Sequence, residues 1–348
     1  MGRFETTALA ALLAWAGLLE SSASADPVKH AQQPLTGSLC KADANCALFR
    51  IASDALPASG IQMANGYLAR PQDWSAVIMA HFSYGKDAEG KPIYATCTAT
   101  LVGIHVLLTA AHCIDMGESD RYRPALFVVD NRNVKISCDP DPRYFREAYR
   151  GESPRSSYDF ALCELSWQGL TPPTLQKLVF EMIDARTPLV VGAPVLMTGY
   201  GCTDLRVENH RLRFTPDATK FRVGEEAIWQ ATSGGGAEAA YVVARSEGGK
   251  QPELCPGDSG GPLLSGLRLI KPATPDGVAT LKSSGPRRIR GVNSSIDFID
   301  RPAPPYDFVS RIAAFAGTGF DAYATWWRGR HPNAKLCGIS PDASQCQD

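Results

Sequence analysis

Ser259 lies in the run Cys255-Pro256-Gly257-Asp258-Ser259-Gly260-Gly261-Pro262-Leu263, a serine in a glycine-rich turn. A hydroxyl is a weak nucleophile at neutral pH and needs a base to take its proton. His112, in Thr109-Ala110-Ala111-His112-Cys113, can be that base, because imidazole titrates near neutrality. The imidazole must be held in one tautomer, and the charge that forms on it must be met; a buried carboxylate does both. Asp159, in Tyr158-Asp159-Phe160-Ala161-Leu162, opens an apolar run and so stands at the head of a buried strand. Gly257 would let an oxyanion come close to the backbone, so the N–H groups of Gly257 and Ser259 are the expected oxyanion hole. Together these parts make a charge-assisted nucleophile.

From about residue 60 the chain alternates short apolar runs with turn-rich stretches, as an all-β chain does. Examples are Val77-Ile78-Met79-Ala80, Val106-Leu107-Leu108 and Val195-Leu196-Met197. The strand–long-helix alternation that a parallel sheet needs is missing. Near the end, residues 307–315 carry apolar side chains at helical spacing, and helix is expected to continue through residues 320–327. Residues 85–94 and 265–286 read as long surface loops.

The N-terminus has the pattern of an export signal. Arg3 precedes an apolar stretch over residues 8–19, and Ala23-Ser24-Ala25 fits the small-residue cleavage rule, so residues 1–25 are expected to be removed. The apolar stretch is short for a membrane anchor, and no other segment is long and apolar enough to span a bilayer. Residues 26–60, rich in Ala, Ser, Pro and Gln, read as a pro-segment or N-terminal extension outside the packed core. The 348 residues are 44% hydrophobic and 20% charged, an ordinary globular composition. With 35 basic and 36 acidic residues and a net charge of −1, nothing points to nucleic acid or an anionic membrane as a partner. Ten cysteines in an exported chain point to disulfides. No C-x-x-C pair occurs and no histidine pair has ligand spacing, so neither metal nor cofactor is expected. Cys138 and Cys163 lie in successive expected strands and are paired on that ground. His81 and His105 flank expected strands and read as packing or surface residues.

The order His112, Asp159, Ser259 and the two motifs around His112 and Ser259 resemble the trypsin-like, or chymotrypsin-family, serine proteases, in a bacterial-type secreted form. Residues 158–162 resemble the family's aspartate segment. Met197-Thr198-Gly199-Tyr200-Gly201 is similar to its Gly-Trp-Gly strand, with Tyr for Trp, and residues 305–311 to the start of its last helix. The resemblance covers residues 61–328 and leaves 329–348 as a Cys-containing tail. It implies an all-β fold of two antiparallel six-stranded β-barrels with a C-terminal α-helix, and a secreted, monomeric endopeptidase acting on protein or peptide substrates. A catalytically silent binding or regulatory protein on the same fold is the alternative.

The resemblance also assigns residues around the triad. Cys97 and Cys113 match the family's bridge beside the histidine, and such a bridge stabilises by roughly 3 kcal/mol. Cys255 departs from the family, because its usual partner is missing, and Cys202 is the best substitute. Cys40, Cys46, Cys337 and Cys346 lie outside the shared region and are expected in two local bridges. Asp258 matches the aspartate that pairs with a newly formed N-terminal ammonium. Residues 63–66 only loosely resemble that N-terminus and no basic residue precedes them, so an internal cation is an alternative partner. Arg50-Ile51, the nearest basic cleavage candidate, lies too far upstream for a good match. Glu253 stands where a pocket carboxylate would select Arg or Lys before the scissile bond, or else is a surface residue of a Pro-rich loop. Ser294 matches the strand that pairs with substrate backbone, and Ile296, for a family glycine, would narrow the pocket.

Overall fold

The computed structural model describes residues 47–51, 63–86, 92–115, 125–144, 156–202, 204–215, 221–231, 241–273 and 277–347. The expected signal sequence, Cys40 and Cys46 lie outside them.

The first half of the chain contributes β1 (Ala47–Ile51), β2 (Tyr67–Ala69), β3 (Val77–Lys86), β4 (Pro92–Gly103) and β5 (Val106–Thr109). It continues with β6 (Ala125–Val129), β7 (Arg132–Pro140) and β8 (Ala161–Ser166). All of these except β2 form a closed barrel in the order β1-β3-β4-β5-β8-β7-β6. The expected barrel had six antiparallel strands; here β1 is a seventh, antiparallel to β3 and parallel to β6. Ala47–Ile51 therefore belongs to the barrel, although the stretch 26–60 was expected to stand apart. Its run Ala-Leu-Phe-Arg-Ile favours a strand, but the polar, Pro-rich residues around it dominate the local composition.

The second half supplies β9 (Pro194–Gly199), β10 (Asp204–Glu208), β11 (Arg211–Thr215), β12 (Arg222–Gln230) and β13 (Tyr241–Ser246). It ends with β14 (Pro262–Ile270), β15 (Val278–Ile299) and β16 (Asp307–Ala314). Their sheet runs β13-β16-β15-β14-β9-β12-β2, and pairing of β13 with β12 brings its two sides together. β10 and β11 form a separate hairpin whose turn residues, Asn209 and His210, both have positive φ (51° and 56°), as a two-residue turn of this kind needs.

Two expectations fail in this half. Residues 307–314 are a strand, not a helix. β16 pairs on both sides, with β13 and β15, and is buried on both faces, so its apolar residues do not alternate. Residues 265–286, expected as a loop, are largely the β14–β15 hairpin, with Leu267 opposite Ser283 and Ile270 opposite Thr280. The exposed run 282–286 gives that hairpin no apolar pattern. Of residues 85–94, also expected as a loop, β3 extends to Lys86 and β4 begins at Pro92, and 87–91 lie outside the described residues.

A C-terminal helix spans Phe320–Arg330. Phe320, Tyr323, Ala324 and Trp327 form its buried face, three or four residues apart. Phe320 and Tyr323 meet Phe160 with ring centroids 5.0 and 5.3 Å apart. The helix thereby braces the residue that follows Asp159. The tail beyond it is also packed: Leu336 and Cys337 are fully buried, and the Cys337 N–H donates to the Val102 carbonyl.

Candidate active site

His112 sits on the short helix Ala111–Ile114, which follows β5 directly. Cys113 on the same turn is bonded to Cys97 of β4, so a covalent cross-link fixes the backbone that presents the imidazole. Asp159 lies two residues before β8, and the intervening Phe160 anchors it in the aromatic cluster. The carboxylate of Asp159 is 3% exposed and takes three hydrogen bonds. The His112 N–H donates to Oδ1 at 2.9 Å, and His112 Nδ1 lies 2.7 Å from Oδ2. The Ser294 hydroxyl donates to Oδ2 at 2.6 Å. A carboxylate only accepts, so Nδ1 carries the proton and Nε2 is left as the base.

Burial opposes a charge on His112. The Asp159 carboxylate outweighs it through charge and hydrogen bonding, with a smaller contribution from Asp115, and the pKa is raised above the ordinary histidine value. The side chain stays 31% exposed, so the base is reachable.

Ser259 comes from the turn before β14. Its hydroxyl donates to the Ser294 carbonyl at 3.3 Å, and no hydrogen bond joins it to His112 among the described residues. Gly257 has φ +112°, and a Cβ there would lie 2.7 Å from the Tyr200 carbonyl oxygen, so the turn requires glycine. Among the described residues, the N–H groups of Gly257 and Ser259 donate to no protein acceptor, unlike their neighbours: Asp258 donates to the Cys255 carbonyl and Gly260 to that of Asn293.

Asp258 is fully buried. Its Oδ1 accepts from the Gly201 N–H and its Oδ2 from the Cys255 N–H, each at 2.8 Å. Burial raises its pKa to about 7, against the two backbone donors and the Arg222 guanidinium, which lower it. Arg222 lies opposite Gly199 across β12 and β9, and a Cβ on Gly199 would fall 2.3 Å from Asp258 Oδ1. Side chains directly opposite in an antiparallel pair share a face, so the buried Arg222 leaves the sheet beside the Asp258 carboxylate. Its Nη1 donates to the Gly66 carbonyl. The segment that was to supply a new N-terminus is packed as part of the chain, with Met63 fully buried and the Glu253 N–H donating to the Ala64 carbonyl.

Glu253 is 2% exposed, not a surface residue. Burial raises its pKa to about 8, partly offset by a hydrogen bond from Ser246 and reinforced by the charge of Glu226, and its Oε2 has no partner. Ile296 is half-buried against the apolar group containing Met63 and Leu254.

Four disulfides join described residues: Cys97–Cys113, Cys138–Cys163, Cys202–Cys255 and Cys337–Cys346. Cys97, His112 and Cys113 approach one another as metal ligands would, but the two sulfurs are bonded to each other. His105 is a packing residue, its ring stacked on Trp167 and Nδ1 2.9 Å from the Leu165 carbonyl.

Three site features go beyond what the sequence indicated: the contact of Ser294 with Asp159, the buried Thr98 beneath Gly257, and the aromatic brace on Phe160. Ser294 was marked by the strand it lies in, but for a different task. Thr98 carried no signal beyond its place after Cys97.

A solved structure of neuropsin, a serine protease expressed in the limbic system of mouse brain, aligns with 76% of this chain and 98% of its own length, at 20% identity and a TM-score of 0.43. The family model described as Trypsin matches residues 64–299, which is most of the chain and holds His112, Asp159 and Ser259. The chain belongs to the trypsin family.

Proposed function

We propose that this member of the trypsin family is an active, exported serine endopeptidase in which His112, Asp159 and Ser259 form the triad. The observation that carries the reading is the Asp159 carboxylate, which holds His112 by both its backbone and Nδ1 and leaves Nε2 as a free base. In this mechanism the Ser259 hydroxyl turns from the Ser294 carbonyl toward His112 and attacks the scissile carbonyl. Such bonds are often loose before substrate binds. His112 Nε2 takes the proton, and the oxyanion of the tetrahedral intermediate accepts from the N–H groups of Gly257 and Ser259. A donor in that position is worth about 3–4 kcal/mol in the transition state. His112 then protonates the leaving amine, and water resolves the acyl-enzyme by the same steps. Asp159 stays ionised throughout.

Two finer parts complete the proposal. Glu253 recognises Arg or Lys before the scissile bond: its Oε2 is unpartnered, and a bound substrate cation would bring the raised pKa down and hold the carboxyl ionised as its acceptor. Export is supported by the four disulfides, which suit an oxidising compartment. The test is hydrolysis of a peptide library by the purified protein and by Ser259→Ala. Cleavage after Arg and Lys, absent from the variant, is the expected result. Cleavage after small aliphatic residues, unchanged in Glu253→Gln, would remove Glu253 from the pocket and leave Ile296 as its floor.

A further inference from the structure

Thr98, in β4 of the first barrel, is fully buried beneath the turn that carries Ser259. It touches that turn twice. Its N–H donates to the Ser259 carbonyl at 2.7 Å, and its hydroxyl donates to the Gly257 carbonyl at 2.9 Å. The hydroxyl oxygen in turn accepts from the Tyr200 N–H at 3.0 Å. The Thr98 carbonyl is itself fixed, by the Thr109 hydroxyl at 2.9 Å. A threonine hydroxyl has a single proton. With that proton on Gly257 and the oxygen on Tyr200, the rotor has one setting.

The two carbonyls that Thr98 holds lie on either side of the Ser259 N–H, and the Gly257 N–H is on the peptide unit just before the first of them; these two N–H groups are the proposed oxyanion hole. Gly257 has no Cβ and lies at φ +112°, so its own stereochemistry restrains the segment little. The restraint comes from outside it. Asp258 is tied on one side to Gly201 and Cys255, and Thr98 supplies the tie on the other side, from the barrel that also carries His112.

We infer that Thr98 is a positioning residue whose hydroxyl, by holding the Gly257 carbonyl, aims the N–H groups of Gly257 and Ser259 at the oxyanion. The inference rests on the reading of Ser259 as nucleophile. It also means that the hole is aimed by contacts made within the uncleaved chain. Valine at 98 keeps the shape but leaves the Gly257 carbonyl and the Tyr200 N–H without this partner. Serine keeps both bonds.

The test compares full-length Thr98→Val, Thr98→Ala and Thr98→Ser with the unaltered protein, with Ser259→Ala in parallel. Two quantities are read: kcat and KM on a cleaved peptide, and the inhibition constant of a peptide aldehyde, whose hemiacetal oxygen occupies the hole. Val should lower kcat about 10- to 100-fold, the range that small misplacements cost. KM should stay within about twofold, and aldehyde binding should weaken by a factor similar to that in kcat, because both depend on the oxyanion. Ser should restore both to within about threefold. If Val does not fold, Ala and Ser make the same comparison. Normal kcat and aldehyde binding in Val or Ala, a change in KM alone, or failure of Ser to restore would overturn the inference. Activity retained in Ser259→Ala would overturn the nucleophile itself, and that outcome is distinct from the others.

Discussion

Asp159 and Asp258 are both buried carboxylates, the one bonded to His112 and the other next to Ser259 in sequence, but they are satisfied differently. Asp159 takes its three bonds from His112, twice, and from the Ser294 hydroxyl. Asp258 takes two, both from backbone N–H groups, and has a buried guanidinium nearby. Around the proposed base, the carboxylate is held by His112 itself and by the Ser294 hydroxyl. Around the proposed nucleophile, the ties come from backbone N–H groups and from Thr98. Substitutions on the base side should therefore act on rate, and those around the nucleophile on geometry and on the pH dependence of stability.

The sharpest break in the comparison comes from the reacting groups themselves. Ser259→Ala or His112→Ala should lower kcat by roughly 10⁶-fold, as expected when one member of an assembled triad is lost. Burst and steady-state kinetics on a peptide ester would measure this. Asp159→Asn should fold normally and lose about 10⁴-fold, because the imidazole is then held in the wrong tautomer. Its acid limb should also move down in pH, since the Asp159 charge is what raises the His112 pKa.

Ser294→Ala tests the third bond to Asp159. Losing a hydrogen bond to a charged group costs about 1.5–3 kcal/mol, so kcat should fall roughly 10- to 150-fold. A change in KM alone would return Ser294 to the substrate-pairing role first expected of it.

The smallest effect concerns Glu253, on the same side of the comparison as Asp258. Its pKa is raised from 4.5 to about 8 in the folded protein, so it contributes stability below about pH 4.5 that is lost as pH rises through about 8. Glu253→Gln should flatten that loss. Thermal unfolding of both proteins between pH 5 and 9 measures it, and parallel curves would show that the carboxyl is not buried as described.

The pairing of His112 with Asp159 was legible in the sequence because few residue types can make it, and the turn around Ser259 was legible because it needs its glycines. The all-β class was legible from the short apolar runs, and its division into two barrels from the family resemblance. What failed, failed for reasons of packing. β16 shows no alternation because both its faces are buried, so Phe308, Val309 and Ile312 mimic a helical stripe. β1 is a short apolar run within polar surroundings, and the outer part of the β14–β15 hairpin has little apolar surface to reveal it. The setting of Glu253 was hidden because it depends on a backbone contact with Ala64, far away in the chain. Thr98 was hidden for the same reason: both its partners in the turn lie in the other barrel.

Labelling with an active-site fluorophosphonate tests the account most directly. The reagent phosphonylates a serine only where base and oxyanion hole are assembled around it. The account predicts one modified residue, Ser259, identified by peptide mapping and lost in His112→Ala. A folded protein that takes up no label, or takes it up at another residue, would contradict the account and leave a silent binding protein on a trypsin fold.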